Sequence, residues 1–401
     1  MPEAGGLLAD LLGEIRSRGP VPFARYMDLC LYHPRFGYYT RGLGGGGGRD
    51  YVTSSGTHRA FGVLLARQAE EMWNLAGRPD PFDFVEYGPG EGHFAADFLA
   101  ALPPGGGFAA ALRYTLVDPS PALRARQESL LAGVRGVGWR ARSEAELLDE
   151  VRRGRPLVGC LFANEVVDAF PVHRIVGTER GPREVHVGER DGALVETLLP
   201  PSTPLLAGYL EASGIALAEG QEVDLNLAAS AWMERALAVL DRGYAMIVDY
   251  GYEARELFHP GRRRGTLLAY HGHRVNEEFL LRPGEQDLTA HVDFSALRRA
   301  AGRAGARVLG LTTQAKFLLA LGALEMLEDC ASSPPGRPAA EAARDREGLK
   351  DLFLPGRLGE RFRVLVLSRG DVPGNVAGLR EPWARAGASM GSASAAAAGG
   401  A

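Results

Sequence analysis

The stretch FVEYGPGEGHF at residues 84–94 constrains the fold of this chain more than any other. An apolar, β-prone lead-in reaches Glu86, and glycines follow at 88, 90 and 92 before helical spacing begins near His93. Glycines in such a row interrupt strand and helix alike, so they mark a tight strand-to-helix turn whose backbone a ligand can approach closely. The surrounding pattern repeats that rhythm. Strands are predicted at 82–87, 113–118, 157–163 and 244–250, with helices at 93–101, 121–132 and 226–240. Strands alternating with helices argue for a parallel sheet covered on both faces, with ligands at the carboxyl ends of its strands.

Three cofactors compete for the turn. A triphosphate loop needs GxxxxGK[ST], and no lysine follows here. A dinucleotide fold wants a third glycine where His93 stands. An acid two residues before the first glycine, then GxGxG, fits S-adenosylmethionine instead. That donor has no pyrophosphate but carries an ammonium and a sulfonium. Glu86 complements that charge, while Gly88, Pro89, Gly90 and Gly92 form a turn that can close on the ligand. Ribose hydroxyls then call for a second acid at the next strand end, where Asp118 closes RYTLVD ahead of Pro119 and Ser120.

A length of 401 residues exceeds one ordinary domain. The expected division is an N-terminal helical cap region (1–80), a Rossmann-like core (81–171 and 242–370), a β-rich and helical substrate lobe (172–241), and a disordered tail (380–401). The last is read from GASMGSASAAAAGGA. GLGGGGG at 42–48 and SSPPGRP at 332–338 read as loops. Two later β-rich runs, 306–313 and 362–368, flank a mostly helical excursion. A net charge of −4 shows no basic field for nucleic acid. Cys30, Cys160 and Cys330 are unpaired in pattern, which predicts a reducing compartment with neither disulfides nor zinc. With no membrane-length apolar run and no leader pattern, a cytoplasmic protein is expected, and a homodimer is left open.

The chain also resembles a known family, the MidA-type S-adenosylmethionine-dependent methyltransferases. The resemblance rests on GPVPFARYMDLCLYHPRFGYY (19–39), VEYGPGEG (85–92), VDPSPALRARQ (117–127), ANEVVDAFPV (163–172), IVDYGY (247–252), GEQDLTAHVDFSAL (284–297), TTQAKFLLALG (312–322) and LGERFRVLVLSRG (358–370). It covers about residues 7–370. It implies an α/β class I methyltransferase fold, with a seven-stranded, mostly parallel sheet and an antiparallel hairpin edge. It also implies methylation of an arginine in a partner protein, and an aromatic set (Tyr26, Met27, Tyr38, Tyr39) over the cofactor. One departure stands out: where the family pattern continues Pro-Glu-Ile-Ser, this chain reads Ser55-Gly56-Thr57-His58, so a glutamate is missing at position 56. A small-molecule or peptide acceptor, or a low-turnover assembly factor that binds the donor, therefore stays open.

Methyl transfer is an in-line displacement, so positioning and exclusion of water supply much of the rate. A guanidinium holds its proton up to about 12.5–13.8, so an arginine acceptor needs carboxylates that clamp it and take the departing proton. Asn164 and Glu165 directly follow the strand 157–163, at the ligand edge, as cofactor-side or acceptor-side groups, and Asp168 stands three residues on. The same residues also read as a helix-start signal. His291 and Asp293 in DLTAHVDF form a potential base with its carboxylate partner. Alternatively, His291 serves a backbone group and Asp293 caps the helix that follows. Asp249 and Tyr250 close another strand, and Tyr252 reads as a base-packing or structural ring. HGH at 271–273 has no second ligand pair nearby, so no metal is predicted.

Overall fold

The computed structural model describes residues 6–43, 54–331 and 339–382. Most of the glycine run at 42–48, the SSPPGRP stretch and the tail beyond Pro382 lie outside the described residues.

Seven strands form the central sheet: β1 Phe82–Tyr87, β2 Leu112–Val117, β3 Gly138–Arg142, β4 Leu157–Asn164, β5 Leu240–Tyr252, β6 Arg307–Thr313 and β7 Phe362–Arg369. Their spatial order is β3-β2-β1-β4-β5-β7-β6, and a two-residue strand, Val292–Asp293, pairs in parallel with the end of β5. β7 runs antiparallel to both β5 and β6, whereas β3/β2, β2/β1, β1/β4 and β4/β5 are parallel. The chain thus has the α/β class I methyltransferase architecture, with helices on both faces. Strand β3 is invisible in the sequence pattern. It is a short sheet edge, GWRAR, mostly half-exposed and bearing two arginines, so it has no apolar run to announce it.

Successive β1 side chains alternate between two cores. Phe82 and Phe84 pack in the first, with helices Ala60–Leu75 and His93–Ala100. Those two helices touch at Gly62, where a Cβ would lie 2.7 Å from that of Asp97. Val85 and Tyr87 pack in the second core, under helices Leu227–Ala238 and Phe294–Arg303. Burial on both faces is why FDFVEY reads as a continuous run.

A third core joins helices Gly6–Arg18 and Phe23–Tyr32 to a five-stranded sheet (21–22, 173–176, 183–190, 193–199, 222–225) and to residues Leu267–Ala290. Packing therefore cuts across the expected domain boundaries. Helix Ala60–Leu75 covers the central sheet and not the cap, helix Leu227–Ala238 does the same from within the insertion, and Leu267–Ala290 leaves the core for the cap. Apolar faces choose their cover by shape and proximity in space, which linear order does not reveal.

Register sets up the site. Tyr87 pairs with Val117 on one side and Ala163 on the other, and Ala163 pairs with Ile247. The residues just beyond, Gly88, Asp118, Asn164 and Val248, therefore stand level at the carboxyl edge.

Candidate functional site

A cavity of about 700 Å³ opens over that edge. Its floor is the glycine turn. Gly88, Gly90 and Gly92 have φ of +63°, +54° and +94°, values that L side chains rarely adopt. Gly88 N donates to Val117 O at 3.0 Å, and Gly92 N donates to Pro89 O at 2.9 Å before the helix begins at His93. A Cβ on Gly88 would lie 2.6 Å from Val166 Cγ2, whereas one on Gly90 would meet nothing within 4 Å. The first glycine serves packing. The second leaves the backbone open toward the cavity.

Glu86 is 3% exposed and accepts a 2.7 Å bond from the Tyr114 hydroxyl. Burial against an aromatic cluster (Phe84, Phe94, Phe98, Phe162) pushes its proton up from 4.5 to about 8; the Tyr114 bond opposes that rise and the nearby Asp118 adds to it. Asp118 accepts from Ser120 N at 2.8 Å, while Ser120 Oγ caps helix Pro121–Leu131. Burial lifts Asp118 to about 6, against the Ser120 N–H, Arg124 and Gln127. Pro119 and Ser120 both line the cavity.

Gln127 is the residue sequence reasoning missed. Its Nε2 donates to Gly90 O at 2.7 Å and to Asp118 Oδ2 at 3.4 Å, tying the two ligand-edge turns together. A signal did exist: Gln127 sits between Leu123 and Leu131 on the buried stripe of its helix, where a polar residue needs a reason. Tyr32, Phe170 and Trp232 also line the cavity, brought there by tertiary packing alone.

At the tip of β4, Asn164 Nδ2 donates to Glu165 Oε1 at 3.1 Å, and both residues line the cavity. Asn164 Oδ1 is buried without a hydrogen-bond partner among the described residues. Glu165 has φ +54°, a left-handed conformation that costs a non-glycine residue about 1–2 kcal/mol. Its N–H donates to Val248 O at 2.9 Å.

The other expected acids and the histidine do not reach the cavity. Asp168 is 6% exposed and lies beneath the turn; burial lifts its proton to about 6, against the nearby Tyr250 hydroxyl. His291 is held to about 4 by burial and by Arg262, so it stays neutral, with its ring against Tyr250 and Tyr252. Asp293 caps helix Phe294–Arg303 through Ser295 N and Ala296 N and accepts from the Tyr209 hydroxyl at 2.8 Å. The helix-cap reading wins for Asp293. No His291–Asp293 hydrogen bond forms, because Asp293 is committed to the helix and to Tyr209. Of the aromatic set, Tyr39 lines the cavity and bonds Asp287 at 2.9 Å, whereas Tyr26, Met27 and Tyr38 are buried in the third core. His271 donates to Glu285 O, and among the described residues no group of three or more His, Cys, Asp or Glu could hold a metal.

Acids at adjacent strand tips, an unpartnered acceptor and an open glycine backbone suit a cationic, phosphate-free ligand. Comparison with known proteins agrees. Residues 64–312 match the family described as "Putative S-adenosyl-L-methionine-dependent methyltransferase". The chain belongs to this family. It is 30% identical over 391 residues to the protein arginine methyltransferase NDUFAF7, mitochondrial, of Mus musculus, covering 90% of this chain and 84% of that one. The Drosophila melanogaster homolog is 28% identical, over 91% of this chain and 85% of that one. A COG1565 superfamily member from Burkholderia thailandensis, bound to S-adenosyl-homocysteine, superposes with a TM-score of 0.80 at 35% identity, over 94% of this chain and 95% of that one. This protein is a methyltransferase that uses S-adenosylmethionine.

One expectation is corrected by these relatives. The animal proteins are named as mitochondrial, which overturns the cytoplasmic assignment. Unpaired cysteines report only a reducing environment, which the cytosol does not monopolise. Among the described residues, no helix is long and apolar enough to cross a membrane.

Proposed function

We propose that this protein methylates an arginine side chain of a partner protein, with Glu165 as the acid that receives the acceptor. Bound S-adenosylmethionine supplies an electrophilic methyl group on sulfur. Glu86 and the 88–92 turn would hold its ammonium end, Asp118 with Pro119 and Ser120 its ribose, and Asn164 Oδ1 one of its donors. The remaining task falls to Glu165, which clamps a guanidinium N–H and takes the proton that the nucleophilic nitrogen loses.

The observation that carries this reading is the conformation of Glu165, a half-exposed carboxylate at a strand tip in a strained backbone, lining the cavity. Strain of that kind persists where surroundings over-determine it, and it clusters at functional sites. The relatives named protein arginine methyltransferase support the choice of acceptor. N-terminal residues Tyr32, Pro34, Tyr39 and Thr40 wall the cavity with Ala228, Trp232 and Arg235 of helix Leu227–Ala238, while the 173–225 strands do not, so acceptor contact is assigned to the cap and to that helix. Incubation of a cell extract with donor labelled in its methyl group tests the proposal. Label should appear as methylarginine in the macromolecular fraction; label confined to small molecules would overturn it.

A further inference from the structure

Beyond the residues that face the cavity, the turn that presents Glu165 is held by one buried side chain. Asp249, at the end of β5, is fully buried. Its Oδ2 accepts from Val167 N at 3.0 Å and from Asp168 N at 3.3 Å, and its Oδ1 accepts from its neighbour Tyr250 N at 2.9 Å. The register explains the reach. Asn164 pairs with Val248, so Glu165 and Asp249 stand one step beyond the paired strands, side by side. Strand pairing ends there, and the N–H groups of the next residues lose their ladder partners. A carboxyl side chain from the adjacent strand replaces them.

The rest of the turn is tied as tightly. Glu165 N donates to Val248 O, and Ala290 N donates to Asp168 O, both at 2.9 Å. Asn226 Nδ2 donates to Val167 O at 3.3 Å and Phe170 O at 3.4 Å. A backbone held at these points can keep Glu165 at φ +54° without letting it relax. Asp249 is the member of this set that a sheet strand does not otherwise require. A buried carboxyl beside two further acids is costly, and burial, Asp168 and Glu165 all push its proton well above the ordinary carboxylate range. The N–H groups it accepts from, Val167, Asp168 and Tyr250, offset part of that cost.

We propose that Asp249 is a positioning residue for methyl transfer: by accepting from the Val167 and Asp168 N–H groups, it fixes the 164–170 turn so that Glu165 faces the acceptor. This rests on the acceptor-side role of Glu165. Asp249 itself touches neither donor nor acceptor, since it does not line the cavity.

Four variants test the inference. Asp249→Ala removes both acceptor oxygens. Asp249→Glu keeps a carboxylate but carries it one methylene too far, and Asp249→Asn keeps one oxygen for the two N–H groups. Glu165→Gln tests the underlying reading separately. Methyl transfer into extract protein at saturating donor should fall about 100-fold in the Ala and Glu variants and recover in the Asn variant. Calorimetric affinity for S-adenosylhomocysteine should stay within about threefold throughout, since Asn164, the donor-side member of this stretch, is held by its pairing with Val248 and not by Asp249. Crystals of the Glu variant with S-adenosylhomocysteine, which need no acceptor, should show Glu165 out of its left-handed conformation. Undiminished transfer in the Ala or Glu variant, an unmoved Glu165, or losses that track donor-site affinity would overturn the inference. Full transfer in Glu165→Gln would instead sink the role of Glu165.

Discussion

Glu86→Gln tests the electrostatics of the proposed donor site, since it keeps shape and hydrogen-bonding size while removing the charge. Raising the proton's hold from 4.5 to about 8 makes ionising Glu86 in place about 5 kcal/mol harder than in water. The empty site therefore keeps Glu86 protonated at neutral pH. A cation laid against it draws the proton off, so binding releases a proton below pH 8 and none well above it. The sign follows from linkage: the free acid titrates near 8 and the occupied one lower, so affinity rises with pH and levels off near 8. At pH 6.5 binding should be about 30-fold weaker than on the plateau. Losing a charge-assisted bond worth about 1.5–3 kcal/mol should weaken the Gln variant about 10- to 150-fold at pH 8.5. Stability moves the other way. A carboxyl whose folded pKa is raised stabilises fully below 4.5 and loses that contribution as pH climbs to about 8, so the ligand-free Gln variant should melt above wild type at pH 9. Calorimetry of S-adenosylhomocysteine binding from pH 6.5 to 9, in buffers of different ionisation enthalpy, measures both affinity and protons released. The Gln variant controls for titration of the ligand itself. Equal affinity in the two proteins, with the same proton release, would show that Glu86 does not face the cation.

Gly90→Arg should abolish donor binding while the fold persists at a cost of about 1–2 kcal/mol for its φ of +54°, because its side chain enters open space in the cavity; circular dichroism beside calorimetry separates the two. Gly88→Ala should instead lower stability by about 1–3 kcal/mol in chemical denaturation, since its Cβ meets Val166 Cγ2 at 2.6 Å. Glu165→Gln should leave S-adenosylhomocysteine affinity within about threefold and cut labelled methyl transfer by about 100-fold or more, the range a positioned proton acceptor supplies. Gln127→Ala should weaken donor binding about tenfold by freeing Gly90 O and Asp118 together, an effect that Leu at the same position should reproduce. His291→Asn should leave the pH profile of transfer unchanged, because a histidine held to about 4 is already neutral throughout the working range.

Much of the cavity edge proposed here to hold the donor was legible in the sequence because it is local. Glu86 and the three glycines lie within seven residues, and their roles follow from what a turn and a strand tip allow. Asp118 needed only the further assumption that the next strand lies alongside, which the α/β rhythm supplies. Acceptor-side chemistry was less legible. Glu165 and Asp168 are three residues apart and equally acidic in sequence, yet one lines the cavity and the other lies beneath the turn. His291 and Asp293 look like a proton relay in sequence and are a packed ring and a helix cap in space.

The order of local elements, the glycine turn and the acids at its rim were thus determined by the chain itself, since each depends on neighbours a few residues away. Tertiary structure alone decided which acids share a cavity and what holds them there. Asp249 reaches Val167 across 82 residues, and Tyr39 meets Asp287 across 248. Contacts over such distances depend on sheet order and register, which no local spacing encodes.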